Sequence, residues 1–235
     1  MKKIFGFIFA DDMEFKPFLD YATARGGQII EKNGNSFVHL VYENIEIYAR
    51  ESGIGKVNAA LAALELYFNF HVDAIMSAGL SGAISGLRKG DVVAGDSYVE
   101  CDFDLRAFGY PLGKKPAGQY IYAADETLLK SAMHIEGMQT GRLGTGDFFL
   151  TDTDKKNEYK NEFKINAFDM ESAAIAAACD KYKLPFLSVR KISDDADDEA
   201  LESYREMNNL CEETLTEILI QVSLNYVTCF QDGQQ

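Results

Sequence analysis

Four short stretches of this chain put glycines or charged residues where an apolar run gives way to a helical pattern. Ser52-Gly53-Ile54-Gly55-Lys56-Val57 sets a glycine pair between a strand and a helix, where backbone N–H groups can approach an anion or a polar ligand. It has neither Walker nor dinucleotide-fingerprint spacing, so alone it reads equally as a tight turn. Ala78-Gly79-Leu80-Ser81-Gly82-Ala83 repeats the arrangement after another apolar run. Phe168-Asp169-Met170-Glu171-Ser172 brings two carboxylates to a strand–helix junction. Ionised oxygens there can accept hydrogen bonds from a sugar diol or from the first N–H groups of the helix. Val189 to Asp197 delivers Arg190, Ser193 and Asp194 at the end of an apolar strand. Asp194 becomes a candidate general acid if a desolvated pocket raises its pKa. Asp195, Asp197 and Asp198 are better explained as solvated caps of the helix that follows. A further acidic group, Asp11, Asp12 and Glu14, closes the first apolar run.

Composition narrows the chemistry these groups can serve. The net charge of −14 repels a nucleic-acid backbone, and no Lys/Arg cluster makes a local exception; an uncharged small molecule is the better partner. His39, His71 and His134 lack the spacing of a metal site, and no metal or cofactor is expected. No G-x-S-x-G elbow offers a serine nucleophile. Cys101, Cys179, Cys211 and Cys229 have no C-x-x-C spacing and read as reduced thiols. Ile4 to Ala10 superficially resembles a signal peptide, but Asp11-Asp12 ends the run too early, and a core strand is expected. No run reaches the roughly 20 apolar residues of a membrane span. A soluble, cytoplasmic protein is expected.

The elements that must position these groups alternate. Strands are expected over 4–10, 36–42, 45–51, 74–78, 91–94, 97–102, 164–168 and 185–192, with the second and third paired across Glu43-Asn44. Helices are expected over 15–25, 56–68, 126–134, 171–182 and, as one long final helix, 199–226; Ala107 to Tyr120 reads as a loop. With 47% hydrophobic residues, 16 Phe and 12 Tyr, the 235 residues suffice for a large core around one sheet. The expected fold is α/β: a single domain over residues 1–235, its central mixed, mainly parallel sheet flanked by helices. Ligands gather beyond the C-terminal ends of such strands.

Taken in order, these segments resemble the bacterial 5′-methylthioadenosine/S-adenosylhomocysteine nucleosidases of the purine nucleoside phosphorylase superfamily. The resemblance covers nearly the whole chain and includes Ala107-Phe108-Gly109-Tyr110, Thr145-Gly146-Asp147 and Ser193-Asp194. It implies release of adenine by hydrolysis. Glu14 then corresponds to the carboxylate that activates water, and Asp194, oriented by Ser193, to the acid that donates to N7 of the base. Arg190 corresponds to a residue that orders the water and the acidic groups. Glu171 and the Met170 backbone match the ribose site, Phe149 the ring that stacks on adenine, and Leu150 the backbone that reads its edge. Ser81 and Gly82 line the site, and Ile54 and Tyr204 meet the alkylthio end. The resemblance also implies a homodimer in which Leu105 and Phe108 reach the neighbour's pocket.

Two positions depart from the family pattern: Leu80 stands where a serine is usual, with Ser81 as a substitute hydroxyl, and Asp11 stands where an apolar residue commonly lines the alkylthio pocket. Three other functions fit parts of the pattern. A nucleoside phosphorylase would need cations around the ribose face, where this chain offers Asp11, Asp12 and Glu14. A futalosine-type hydrolase would bring a 5′ carboxylate toward Asp11. A nucleoside-binding protein without turnover would have no use for an acid and a base on opposite sides of one bond.

Overall fold

Lys3–Phe9 (β1) has the unbroken apolar character of a strand covered on both faces. The computed structural model describes residues 2–116, 118–197, 199–208 and 213–232. After β1 come α1 (Asp12–Thr23), β2 (Gln28–Lys32), β3 (Asn35–Tyr42), β4 (Ile45–Glu51), α2 (Lys56–Phe70), β5 (Ala74–Ala83) and β6 (Val92–Glu100). A 3-10 turn at Arg106–Phe108 precedes β7 (Ile121–Ala123), α3 (Glu126–Ala132), β8 (Met138–Thr145) and α4 (Thr153–Phe163). The chain continues through β9 (Ala167–Asp169), α5 (Ser172–Tyr182), β10 (Phe186–Asp194), α6 (Ala200–Asn208) and α7 (Glu213–Asp232).

The strands form one sheet, ordered β10-β6-β8-β9-β5-β1-β4-β3-β2, with β7 on β6. A further pairing of β10 with β5 closes β10, β6, β8, β9 and β5 into a ring. Closure removes the edges that those strands would otherwise expose. Pairing is parallel where β1 joins β4 and β5, where β10 joins β5, and where β8 joins β6 and β9. The other pairs, β10–β6, β2–β3, β3–β4, β5–β9 and β6–β7, are antiparallel. The sheet is therefore mixed, with five parallel pairs set against five antiparallel ones, so the parallel predominance expected from the sequence is met only in part.

Alternation along β1 divides the core. Phe5, Phe7 and Phe9 face Phe18 of α1 and Leu219 and Tyr226 of α7, while Ile8 faces Ala59, Ala62, Ala63 and Leu66 of α2 and Ile175 of α5. Small alanines on α2 and α5 let both helices lie close to the sheet. Cys101, Cys179 and Cys229 are free thiols; Cys211 lies outside the described residues.

Several expected boundaries move. The two strands expected over 91–102 are one strand, β6, whose register against β8 shifts between Gly95 and Ser97. The final helix expected over 199–226 is described as helical over Ala200–Asn208 (α6) and Glu213–Asp232 (α7), with 209–212 outside the described residues. The strand expected over 164–168 is β9, which begins only at Ala167. β2, β7, β8 and α4 have no counterpart in the sequence reading. In β8, MQTGRLGT lacks apolar alternation and is held as a strand by its two ring neighbours.

Phe18 is fully buried and stacks against Phe9 and edge-on to Phe7, fixing α1 on the sheet. Phe18→Ala is expected to lower stability by about 3–5 kcal/mol, read as a fall in urea midpoint at unchanged slope.

Candidate active site

Strands β10, β5, β1 and β4 run parallel and side by side, so their C-terminal ends open onto one place. Asp194 ends β10, Ser81 and Gly82 lie near the end of β5, Asp11 caps α1 just after β1, and Ile54 follows β4. A cavity of about 280 Å³ lies over these ends. Of the residues singled out in the sequence, Glu14, Ile54, Ser81, Gly82, Phe149, Leu150, Met170, Glu171, Ser193, Asp194 and Tyr204 line it, together with Asp11 and Leu80. Arg190 does not line the cavity and is 1% exposed. Leu105 and Phe108 lie outside it; Phe108 is 78% exposed.

Arg190 organises the acids. Its Nε lies 3.1 Å from Asp169 Oδ2, its Nη2 lies 3.6 Å from Glu171 Oε2, and it donates to the Ser188, Ser172 and Ser77 hydroxyls. Asp169 also accepts from Thr145 Oγ1 at 2.6 Å and from the N–H groups of Glu171 and Ser172. The two sequence readings of this junction thus divide between its carboxylates. Asp169 caps the start of α5 and holds Arg190, while Glu171 faces the cavity with Oε1 accepting from the Gly55 N–H at 3.0 Å. Gly55 has φ +98°, which a residue with a side chain rarely adopts, and this turn aims its N–H at Glu171. The turn is anchored from behind. Lys56 Nζ lies 2.6 Å from Asp102 Oδ1, the Lys56 N–H donates to Asp147 Oδ1, and the Asp147 N–H donates to Asp102 Oδ2.

Glu14 Oε2 accepts from the Ala10 N–H at 3.0 Å and Oε1 from the Leu80 N–H at 2.8 Å. A Cβ at Gly79 would collide with Glu14 Oε1 and Arg190 Nη1, so glycine permits their approach. Part of Glu14 remains accessible, but its carboxyl group is enclosed. Burial pushes it up to about 8, against Arg190 and with Asp11 and Glu171 adding to the rise. Burial likewise lifts Glu171 to about 7 despite Arg190. Burial works against the charge on Arg190, but Asp169, Glu171 and Glu14 outweigh it and raise its pKa.

Across the cavity, Asp194 Oδ2 accepts from Ser193 Oγ at 2.6 Å and Oδ1 from the Ala196 N–H at 2.8 Å. Burial raises Asp194 above its ordinary value in spite of both bonds. Asp195 is exposed, consistent with its reading as a solvated residue, and Asp198 lies outside the described residues. The Phe149 and Tyr204 rings meet edge-on at 5.4 Å. Ser81 Oγ is buried at the cavity wall without a protein partner among the described residues. The arrangement can hold protons on enclosed carboxyl groups near neutrality on one side and present a hydroxyl-bonded acid on the other. Sequence reasoning missed Thr145 and the Leu80 and Ala10 N–H groups. Thr145 lies in a quoted motif, but the backbone donors carry no residue-type signal.

The profile of the Phosphorylase superfamily matches residues 4–223. A 5′-methylthioadenosine/S-adenosylhomocysteine nucleosidase of Geobacillus sp. (strain WCH70) is 37% identical over 169 residues, 68% of this chain and 73% of that protein. An aminodeoxyfutalosine nucleosidase of Campylobacter jejuni is 32% identical over 193 residues, 80% of this chain and 83% of that one. Among solved structures, a Helicobacter pylori nucleosidase mutant with 5′-methylthioadenosine in the active site superposes with TM-score 0.88 at 29% identity, covering 94% of this chain and 98% of its own. The futalosine hydrolase of Helicobacter pylori superposes with TM-score 0.87 at 30% identity, covering 94% and 97%.

A carboxyl group raised from 4.5 to about 8 keeps its proton in the folded protein while the unfolded chain ionises. The advantage to the folded state is complete below the ordinary value and is lost as pH rises to about 8, at up to about 1.4 kcal/mol per unit. Glu14→Gln mimics the protonated acid, so its urea midpoint is expected to fall less than that of the wild type between these limits.

Proposed function

Because the chain belongs to the Phosphorylase superfamily, we propose that it is an N-glycosyl hydrolase that frees adenine from 5′-methylthioadenosine, S-adenosylhomocysteine or both. The observation that carries this reading is the pairing, across one cavity, of Asp194 with the enclosed carboxyl groups of Glu14 and Glu171. In this reading the base lies by Phe149 with the Leu150 backbone at its edge, and the ribose hydroxyls donate to Glu171 beside Met170. As the C–N bond lengthens, negative charge grows on adenine and positive charge on the sugar. Protonated Asp194, held by Ser193, gives its proton to N7; Glu14, ionised in a minor fraction near neutrality because burial raises it to about 8, takes a proton from the water that attacks the anomeric carbon in that ionised form. Adenine and the free sugar leave, and the proton on Glu14 returns to Asp194 through solvent. Arg190 keeps the carboxylates in place without touching the substrate.

Hydrolysis is favoured over phosphorolysis because no described residue lining the cavity is Lys or Arg, and Arg190 is already engaged by Asp169 and Glu171. A phosphate would enter a field set by Glu14, Asp11 and Glu171. A futalosine-type substrate is the second reading, supported by the similarity to the Campylobacter jejuni protein. The chain would act as a single nucleoside phosphorylase-like domain, in the cytoplasm and in methionine salvage. A homodimer is supported by an exposed apolar stripe along α2, with Val57 at 70% and Leu61 and Phe68 at 54%, continuous with Ile54 at the cavity. Leu105 and Phe108 would reach the partner's pocket.

Adenine release from both nucleosides is expected to proceed without phosphate and to yield the free sugar. Asp194→Asn should lower kcat by about 10²–10⁴-fold with binding largely retained; strict phosphate dependence, or unchanged turnover in the variant, would count against the mechanism. Leu61→Glu is expected to shift the sedimenting species from dimer to monomer and to lower turnover with it.

A further inference from the structure

The strand ends under the cavity stand in the order β10, β5, β1, β4. Asp194 belongs to the β10 end, Glu14 and Asp11 to the β1 end, and Ile54 to the β4 end. An acid that protonates the base must lie beside the base, so the base takes the β10 side. With the ribose at Glu171 between them, the substituent on the 5′ carbon runs toward β1 and β4. This orientation rests on the function proposed above.

The wall met there includes Ile54, which follows β4, Tyr204, which lies within electrostatic reach of Asp11, and one carboxylate, Asp11 itself. Asp11 is held in position as the cap of α1: its Oδ1 accepts from the Glu14 N–H at 2.9 Å, and no described residue donates to Oδ2. Glu51, the last residue of β4, stands opposite Phe9 in the register and lies within electrostatic reach of Asp11 and Asp12. Arg50 offsets Glu51 in part, but no lysine or arginine among the described residues lines the cavity to balance Asp11. A substituent that ends in a carboxylate therefore meets like charge in a partly desolvated place, and one that ends in an ammonium meets an unmatched acceptor.

We propose that Asp11 sets the specificity of the site at the 5′ position, selecting adenine nucleosides whose 5′ substituent carries an ammonium group over isosteres that carry a carboxylate.

The test uses 5′-deoxy-5′-(2-aminoethylthio)adenosine and 5′-deoxy-5′-(carboxymethylthio)adenosine with the wild type and with Asp11→Asn, which keeps a helix-capping oxygen. The quantity read is the ratio of kcat/KM for the ammonium compound to that for the carboxylate compound within each protein, so a general loss of activity through Glu14 cancels. The wild-type ratio is expected to be about tenfold or more and to fall toward one in Asp11→Asn and at high salt. A ratio near one in the wild type, or the same ratio in both proteins, overturns the proposal. If the wild type releases adenine from neither compound nor from 5′-methylthioadenosine, the functional reading fails instead. The dissociation constants of the same compounds, measured by calorimetry, then decide the role of Asp11 by the same ratio.

Discussion

The structure depends on one cation enclosed by acids. Arg190 is 1% exposed and sits between Asp169 and Glu171, with Glu14 close enough to affect its charge. A buried guanidinium is tolerable only with such partners, and the carboxylates are tolerable only with the guanidinium, so removal of either leaves an uncompensated charge. The balance is not even. Three carboxyl groups share one cation; burial is the larger cause of the rise at Glu14 and Glu171 and prevails over Arg190, with the neighbouring carboxylates adding to it.

Ring closure makes this cluster possible. β5 pairs with β10 in parallel along most of its length and with β9 antiparallel at Gly82 and Ala83. Asp169 at the end of β9 and Asp194 at the end of β10 therefore converge on the same stretch of β5 from two sides. Gly79 and Gly82 lie in that stretch, and side chains there would strike Glu14, Arg190 and Asp194. Open doubly wound sheets achieve similar convergence at a switch in strand order; here a short antiparallel strand inserted into the ring does it.

The legible parts of the sequence were those where burial and period coincide. β1, β3, β4, α2 and α5 follow directly from apolar runs or helical spacing, and the carboxylates after β1, β9 and β10 stood out because charge follows an apolar strand abruptly. β8 was silent because its order comes from neighbours distant in the chain rather than from its own pattern. β2 was silent because Gln28, Ile29, Glu31 and Lys32 are exposed at the edge of the sheet, with little need for alternation. In the site, the distinction between Asp169 as cap and Glu171 as cavity group needed the position of Gly55, a residue on another strand's loop. The donors to Glu14 are backbone N–H groups, which every non-proline residue possesses. Their role was invisible at any reading of residue types.

The same charge excess bears on which nucleophile the fold can accept. Superfamily membership alone leaves hydrolysis and phosphorolysis open, since a shared fold carries different chemistries. Phosphate binding requires cations with unused donors. Arg190 has its nitrogens directed at Asp169, Glu171 and the Ser77, Ser172 and Ser188 hydroxyls, and the two N–H groups nearest Glu14, those of Ala10 and Leu80, are taken by its carboxylate. A dianion entering there would have to displace carboxylates from Arg190 and from the Ala10 and Leu80 N–H groups. Water has no such requirement: it needs only an acceptor, and Glu14 is one as soon as it ionises. In the function proposed above, the nucleophile is selected by what the buried acids have already consumed.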